Sequence, residues 1–180
     1  MTTVIMDLNR FPFSPDVKLL IDVNVLIYLQ SGQTKNYDKM WELAKRQNNE
    51  LFITTLSISE FINFFVRNGY KQYCKTHSYR EEDFDFKRSY QHTQHFLDIY
   101  DDVIDTIETE IIPKMTVIDF DNTDFYDISN LTCHMLDIND ACYLRKAIKE
   151  GFSIVTHDAD FFNIPIKEEV KVYTYNRGRR

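Results

Sequence analysis

Four acidic residues in this chain stand at positions where an α/β fold would gather them. Asp22 closes the apolar run Val17-Lys18-Leu19-Leu20-Ile21, and Asp158 follows Ile154-Val155-Thr156-His157. Glu60 falls in the opening turns of the helix expected after a second strand, and Asp140 begins the helix before the fourth. Open parallel sheets bind ligands beyond the carboxyl ends of their strands, so these carboxylates can converge on one rim. Hard carboxylate oxygens suit Mg²⁺ or Mn²⁺, ions that keep several waters and bind substrate phosphates directly. Such an ion activates a water and stabilises the charge of an in-line displacement at phosphorus. Without it the clustered acids would repel one another, so metal dependence is expected. Asn24 and Thr156 are placed to position a ligand, and Asp160 is an auxiliary acid. Asp137, three residues ahead of Asp140, can share its helical face and competes for its role.

Each acid also has a plainer use. Asp22 can end a strand and cap the next helix. Ser57-Ile58-Ser59-Glu60 fits the Ser-x-x-Glu capping box. Asp140 is favoured in a first turn by the helix dipole, and Asp158-Ala159-Asp160 can be a turn. What favours chemistry is the joint pattern of four acids at strand ends and helix starts.

The positioning elements follow from apolar periodicity. A strand is expected over Val17–Asp22, then a helix from Val23 to Leu29 stopped at Ser31-Gly32. A helix over Tyr37–Arg46 turns Met40, Trp41, Leu43 and Ala44 inward. Leu51–Thr54 is a strand, and the helix Leu56–Asn68 is expected to stop at Gly69. Residues Tyr70–Ile112 are mostly polar, with Phe96, Ile99, Tyr100, Val103, Ile107 and Ile111 striping one long helix that Pro113 ends. Further strands are expected at Met115–Ile118, Ser153–Thr156 and Val170–Tyr175, and helices at Phe125–Met135 and Asp140–Glu150, the latter stopped by Gly151. Strands alternating with helices imply an α/β fold on a largely parallel sheet. One domain over residues 1–180 is the simplest organisation, with a 17–175 core and a helical excursion at about 70–113.

The motifs together resemble those of PIN-domain nucleases. Leu20-Ile21-Asp22-Val23-Asn24-Val25-Leu26-Ile27 is similar to the family's opening strand with Asp-x-Asn. Ser57-Ile58-Ser59-Glu60-Phe61 resembles its second motif, which supplies a metal-binding Glu. Asn139-Asp140-Ala141-Cys142 and the later Gly151-Phe152-Ser153-Ile154-Val155-Thr156-His157-Asp158-Ala159-Asp160-Phe161 resemble its ending. The resemblance covers most of residues 17–175 outside 70–115, and rests on the order and spacing of the motifs. It implies a three-layer PIN-like fold, with Asp22, Glu60, Asp140 and Asp158 as metal-binding acids and Asn24 in support. It also implies an Mg²⁺- or Mn²⁺-dependent endoribonuclease cutting RNA, as a toxin paired with an antitoxin protein or as an RNA-processing enzyme. The antitoxin would plug the acidic groove with an Arg- or Lys-bearing segment. The long helical segment and the stretch before the first strand depart from compact members, leaving the segment as a homodimer contact or a substrate clamp.

Two competing readings come from other classes. One is a PIN-like RNA-binding or regulatory module that does not cut, although four retained acids would then have no evident use. The other rests on Val117-Ile118-Asp119-Phe120-Asp121-Asn122-Thr123, which resembles the Asp-x-Asp-x-Thr opening of haloacid-dehalogenase-type phosphatases. That motif begins too late in the chain for the rest of that fold, so Asp119 and Asp121 read better as a strand end and a helix cap. His92 and His95 are better read as exposed helix residues than as a metal pair, and His157 beside Asp158 decides little alone. No Gly-rich phosphate loop is present.

Composition limits the remaining classes. Only 4 Gly and 4 Pro among 180 residues argue against a loop-built chain, and 14 Phe with 11 Tyr predict a bulky aromatic core. The three cysteines, Cys74, Cys133 and Cys142, lack paired spacing, which fits a reducing cytoplasm. No signal peptide or membrane-spanning run is visible, so a soluble cytoplasmic protein is expected. A formal charge of −7 sits awkwardly with nucleic-acid binding. Metal-neutralised acids and the basic tail Asn176-Arg177-Gly178-Arg179-Arg180 ease that conflict.

Overall fold

The computed structural model describes residues 2–126, 128–132 and 136–178. It contains two compact units, one of Met1–Thr55 with Thr116–Arg180 and one of Leu56–Met115. The first unit carries six strands: β1 (Val4–Asp7), β2 (Leu19–Ile21), β3 (Leu51–Thr54), β4 (Thr116–Ile118), β5 (Ser153–Val155) and β6 (Lys171–Thr174). Their order across the sheet is β1-β6-β5-β2-β3-β4, and every neighbouring pair is parallel. Its helices are α1 (Val23–Gln30), α2 (Tyr37–Gln47), α5 (Ile128–Thr132) and α6 (Ile138–Glu150).

The central strands read as unbroken apolar runs because both faces are covered. Leu19, Leu20, Ile21, Ile154 and Val155 are fully buried, and a core of Leu20, Phe52, Leu144, Ile154, Phe161 and Val172 packs around them. Strand order reverses between β2 and β5. From β2 the chain moves through β3 to β4, then returns on the other flank to lay down β5 and β6. The carboxyl ends of β2 and β5 are therefore the topological switch point, where such sheets open a crevice.

The expected fold class is the one observed, with two corrections in the first unit. The stretch ahead of the first expected strand is part of the sheet: β1 pairs along β6 in the register Val4↔Lys171 to Asp7↔Thr174. Its apolar run is only Val4-Ile5-Met6, and at the sheet edge Val4 is exposed and Ile5 and Met6 only half-buried. The helix expected over Phe125–Met135 is instead a 3₁₀ turn at Asn122–Phe125 followed by the short α5. Residues 133–135 lie outside the described part, as do Cys133 and the tail residues Arg179 and Arg180.

Asp121 caps the 3₁₀ turn reciprocally with Asp124. The wholly buried Asp124 takes Lys146 of α6 at 3.3 Å, and Lys149 pairs with Asp121. Asp119 accepts from the Thr55 hydroxyl at 2.8 Å and from the Phe120 amide. The Asp-x-Asp-x-Thr segment is thus used for capping and cross-linking. At the other end of α6, Gly151 adopts φ +70°, the left-handed stop its position predicted.

The second unit holds most of α3 (Thr55–Thr76) and all of α4 (Gln94–Thr106). Gly69 does not stop a helix as expected; α3 runs through it for seven more residues, from Tyr70 to Thr76. A β-carbon at Gly69 would stand 2.8 Å from the Tyr90 hydroxyl and 3.2 Å from Ile99, so the glycine permits close approach rather than termination. Ser57 lies inside the helix that begins at Thr55, so the Ser57–Glu60 segment is not its N-terminal capping box. The expected aromatic core is found here: Tyr70, Cys74 and Tyr90 are buried against Tyr73, Phe84, Phe86 and Phe96. His95 spends Nδ1 on the Tyr90 hydroxyl at 2.9 Å. The long apolar stripe is α-helical to Thr106, widens into a π turn at Ile107–Ile111, and ends in a 3₁₀ turn holding Pro113. Among the described residues no helix is long and apolar enough to cross a membrane.

Candidate active site

The switch point places Asp22 and Thr156 side by side. Ile21 pairs with Val155, and the Asp22 amide continues the ladder to the Val155 carbonyl at 3.0 Å. Asp22 occupies the N-cap position of α1 but makes no side-chain capping bond. Its Oδ2 instead accepts from the Thr156 hydroxyl at 2.5 Å and from Asn24 Nδ2 at 3.1 Å. The same Thr156 oxygen accepts from the Asp158 amide at 2.9 Å. Thr156 is wholly buried, so one hydroxyl fixes both the Asp22 carboxylate and the loop that carries Asp158. Asp158 Oδ1 in turn accepts from the Asp160 amide at 2.9 Å, a local turn that leaves Asp160 exposed.

Asp140 arrives from α6. Asp137 is the N-cap of α6, and its carboxylate accepts from the Asp140 amide at 2.9 Å. Asp137 is exposed and engaged in capping, whereas Asp140 is half-buried. The Asp140 carboxyl is pushed up to about 7, first by burial and then by the charges of Asp137, Asp158, Asp22 and Asp160. Burial also raises Asp22, opposed by its bonds from Thr156 and Asn24 and reinforced by Asp158. Mutual repulsion of this kind requires that Asp22, Asp140 and Asp158 share one field. Glu60 lies in the second turn of α3, within the other compact unit.

Sequence reasoning did not find the aromatic group behind Thr156. The fully buried Tyr37 donates its hydroxyl to the Thr156 carbonyl at 2.8 Å, with His157 Nδ1 at 3.2 Å. Because the single phenolic proton goes to that carbonyl, Nδ1 is the donor in the second contact. Burial pushes Tyr37 up to about 12 and lowers His157, the latter helped by Lys35. Tyr28 lies parallel to Tyr37 and edge-on to His157 at 5.1 Å. Asn176 donates to the His157 carbonyl at 2.7 Å, so the start of the basic tail meets the same loop. The only sequence signal for this group was the tyrosine content, which does not say where the rings go.

Residues 19–167 match the family model of the PIN domain. The chain belongs to the PIN-domain family. The same fold is found in VapBC2 from Rickettsia felis bound to a DNA fragment from their promoter, at 15% identity and a TM-score of 0.55, covering 88% of this chain and 98% of that one. A toxin–antitoxin complex from Klebsiella pneumoniae matches at 17% identity and a TM-score of 0.49, covering 82% and 92% of the respective chains. No curated protein matches the sequence. PIN-domain nucleases act on nucleic acids and generally use divalent metals.

The donor set here fits such an ion. The acids are hard oxygen donors, partly buried and mutually repelling, so a divalent cation would relieve the field they create. Among the described residues, no three carboxylate, imidazole or thiol side chains form a ready-made metal cage.

Proposed function

We propose that this protein is a Mg²⁺- or Mn²⁺-dependent endoribonuclease, acting as the toxin of a toxin–antitoxin pair. The observation that carries the proposal is the shared field of Asp22, Asp140 and Asp158 at the switch point of a PIN-domain sheet. In this reading Glu60 is the fourth acid and Asp160 an auxiliary one. Both side-chain donors to Asp22 converge on Oδ2, and Asp22, Asp140 and Asp158 would hold the cation. A bound divalent ion supplies Lewis acidity, lowering the pKa of water and offsetting phosphate charge. Thr156 and Asn24 keep Asp22 oriented, and Thr156 holds the Asp158 loop in the same register. Asp140, half-buried in the field of the other acids, would help hold the cation and the water it activates. An antitoxin segment bearing Arg or Lys complements the same excess of carboxylates.

Cleavage of single-stranded and structured RNAs with Mg²⁺, Mn²⁺ or EDTA tests the proposal. The wild type is expected to cut only with metal, and Asp22→Asn to remain folded but lose at least about 100-fold in rate, the loss typical of a disrupted metal-site contact. A folded, metal-loaded wild type that cuts no RNA, or an active Asp22→Asn protein, overturns it. Glu60→Gln assigns the fourth acid by the same assay.

A further inference from the structure

The carboxyl edge of the sheet differs on the two sides of the switch point. Towards β4 it presents the carboxylate of Asp119, which would repel a polyanion. Towards β6 and β1 it carries the carboxylates of Asp7 and Asp38 as well, but there it adds a group of rings and a cation. Lys35 Nζ donates to the Tyr28 hydroxyl at 2.6 Å and stands 3.9 Å from the centre of that ring. Tyr28 in turn meets His157, the residue preceding Asp158, at 5.1 Å.

Lys35 is held in an unusual way. It and Asn36 are consecutive non-glycine residues with positive φ, 47° and 72°. Such backbone is costly and persists where its surroundings hold it. Here Asn36 Oδ1 accepts from Lys39 at 2.8 Å, and the next residue, Tyr37, is anchored under Thr156. The exposed ammonium has a neutral phenol as its hydrogen-bond partner and no carboxylate pair among the described residues. In a chain of net charge −7, a cation posted beside the acidic site and left free of acid partners is available for an anion.

We propose that Lys35, held by Tyr28 beside His157, is a phosphate contact for single-stranded RNA leaving the carboxylate cluster on the β6 side. The proposal rests on the nuclease reading above for its substrate. A positive group interleaved with aromatic rings is the usual make-up of a surface that tracks a single strand. Phosphate fits better than an acidic peptide because the neighbouring carboxylates would repel a peptide's charges, whereas a phosphodiester strand must in any case reach them.

Two measurements test the contact. Steady-state cleavage by Lys35→Ala should show KM raised about fivefold with kcat within about twofold, and Lys35→Arg should restore KM. Separately, RNA binding by the uncut Asp22→Asn complex is followed by fluorescence anisotropy from about 50 to about 200 mM salt. Adding Lys35→Ala should lower the slope of log affinity against log salt by about 0.7, the loss of one phosphate contact on a single strand. An unchanged slope, or no RNA binding at all, overturns the proposal. If wild type cuts no RNA while the slope still falls, the nuclease reading fails and the Lys35 contact stands.

Discussion

At the scale of single residues, the hydroxyl of Thr156 ties two of the carboxylates together. It donates to Asp22 and accepts from the Asp158 amide while wholly buried, so removing it leaves both groups short of a partner. Thr156→Val keeps the shape and deletes only those bonds. It should lower cleavage roughly 10–100-fold through misplacement of the carboxylates, and stability by about 1–3 kcal/mol. Single-turnover rates and urea melts check the two effects, and Thr156→Ser should recover most of both. The sequence showed Thr156 as a polar residue at a strand end. It did not show that its oxygen would serve two acids, because that depends on the register Ile21↔Val155.

Among the elements, α3 and α6 show how a sequence signal can be true locally and misread in context. Gly69 has the composition of a helix stop, yet α3 passes through it because Tyr90 and Ile99 press against the missing side chain. Helix propensity alone would favour Gly69→Ala by about 1 kcal/mol. Overpacking against a buried ring costs about 1–3 kcal/mol, so a net loss of stability is expected in chemical denaturation. An increase would show that Tyr90 yields freely. Gly151, by contrast, was legible as a stop, because its left-handed conformation is set within the helix end itself. The tie between α6 and the turn at Asn122–Phe125 is a second test. Asp124→Ala removes the wholly buried partner of Lys146 but leaves it Glu150 at 3.6 Å and Asp121 at 3.9 Å, and should destabilise by about 1–3 kcal/mol. Adding Lys146→Met should recover part of that loss, since the nearly buried ammonium then no longer has to be held by half-exposed partners.

For the whole molecule, most of the sheet was readable because its buried strands announce themselves as apolar runs, while β1 carries only Val4-Ile5-Met6 and lies half-exposed at the edge. The candidate aspartates were readable for a related reason: they follow directly from those strands or open a helix between them. Their electrostatic cost appears in how stability depends on pH. In the folded chain the Asp140 carboxyl is pushed up to about 7, well above the ordinary carboxylate range. Its contribution to stability is therefore full at acid pH and lost as pH rises through about 7. In EDTA, the stability advantage of wild type over Asp140→Asn should shrink across that window. Excess Mg²⁺ should stabilise the wild type more at pH 8 than at pH 5, as read by thermal melts; equal stabilisation would remove Asp140 from the cation's field. The pairing of β1 with β6 has a consequence for synthesis. Residues 4–7 have no strand neighbour until residues 171–174 have emerged, a delay of roughly 10–30 s at ordinary translation speeds. Throughout that interval the nascent chain carries an unmatched strand, open to a chaperone or to a neighbouring nascent chain.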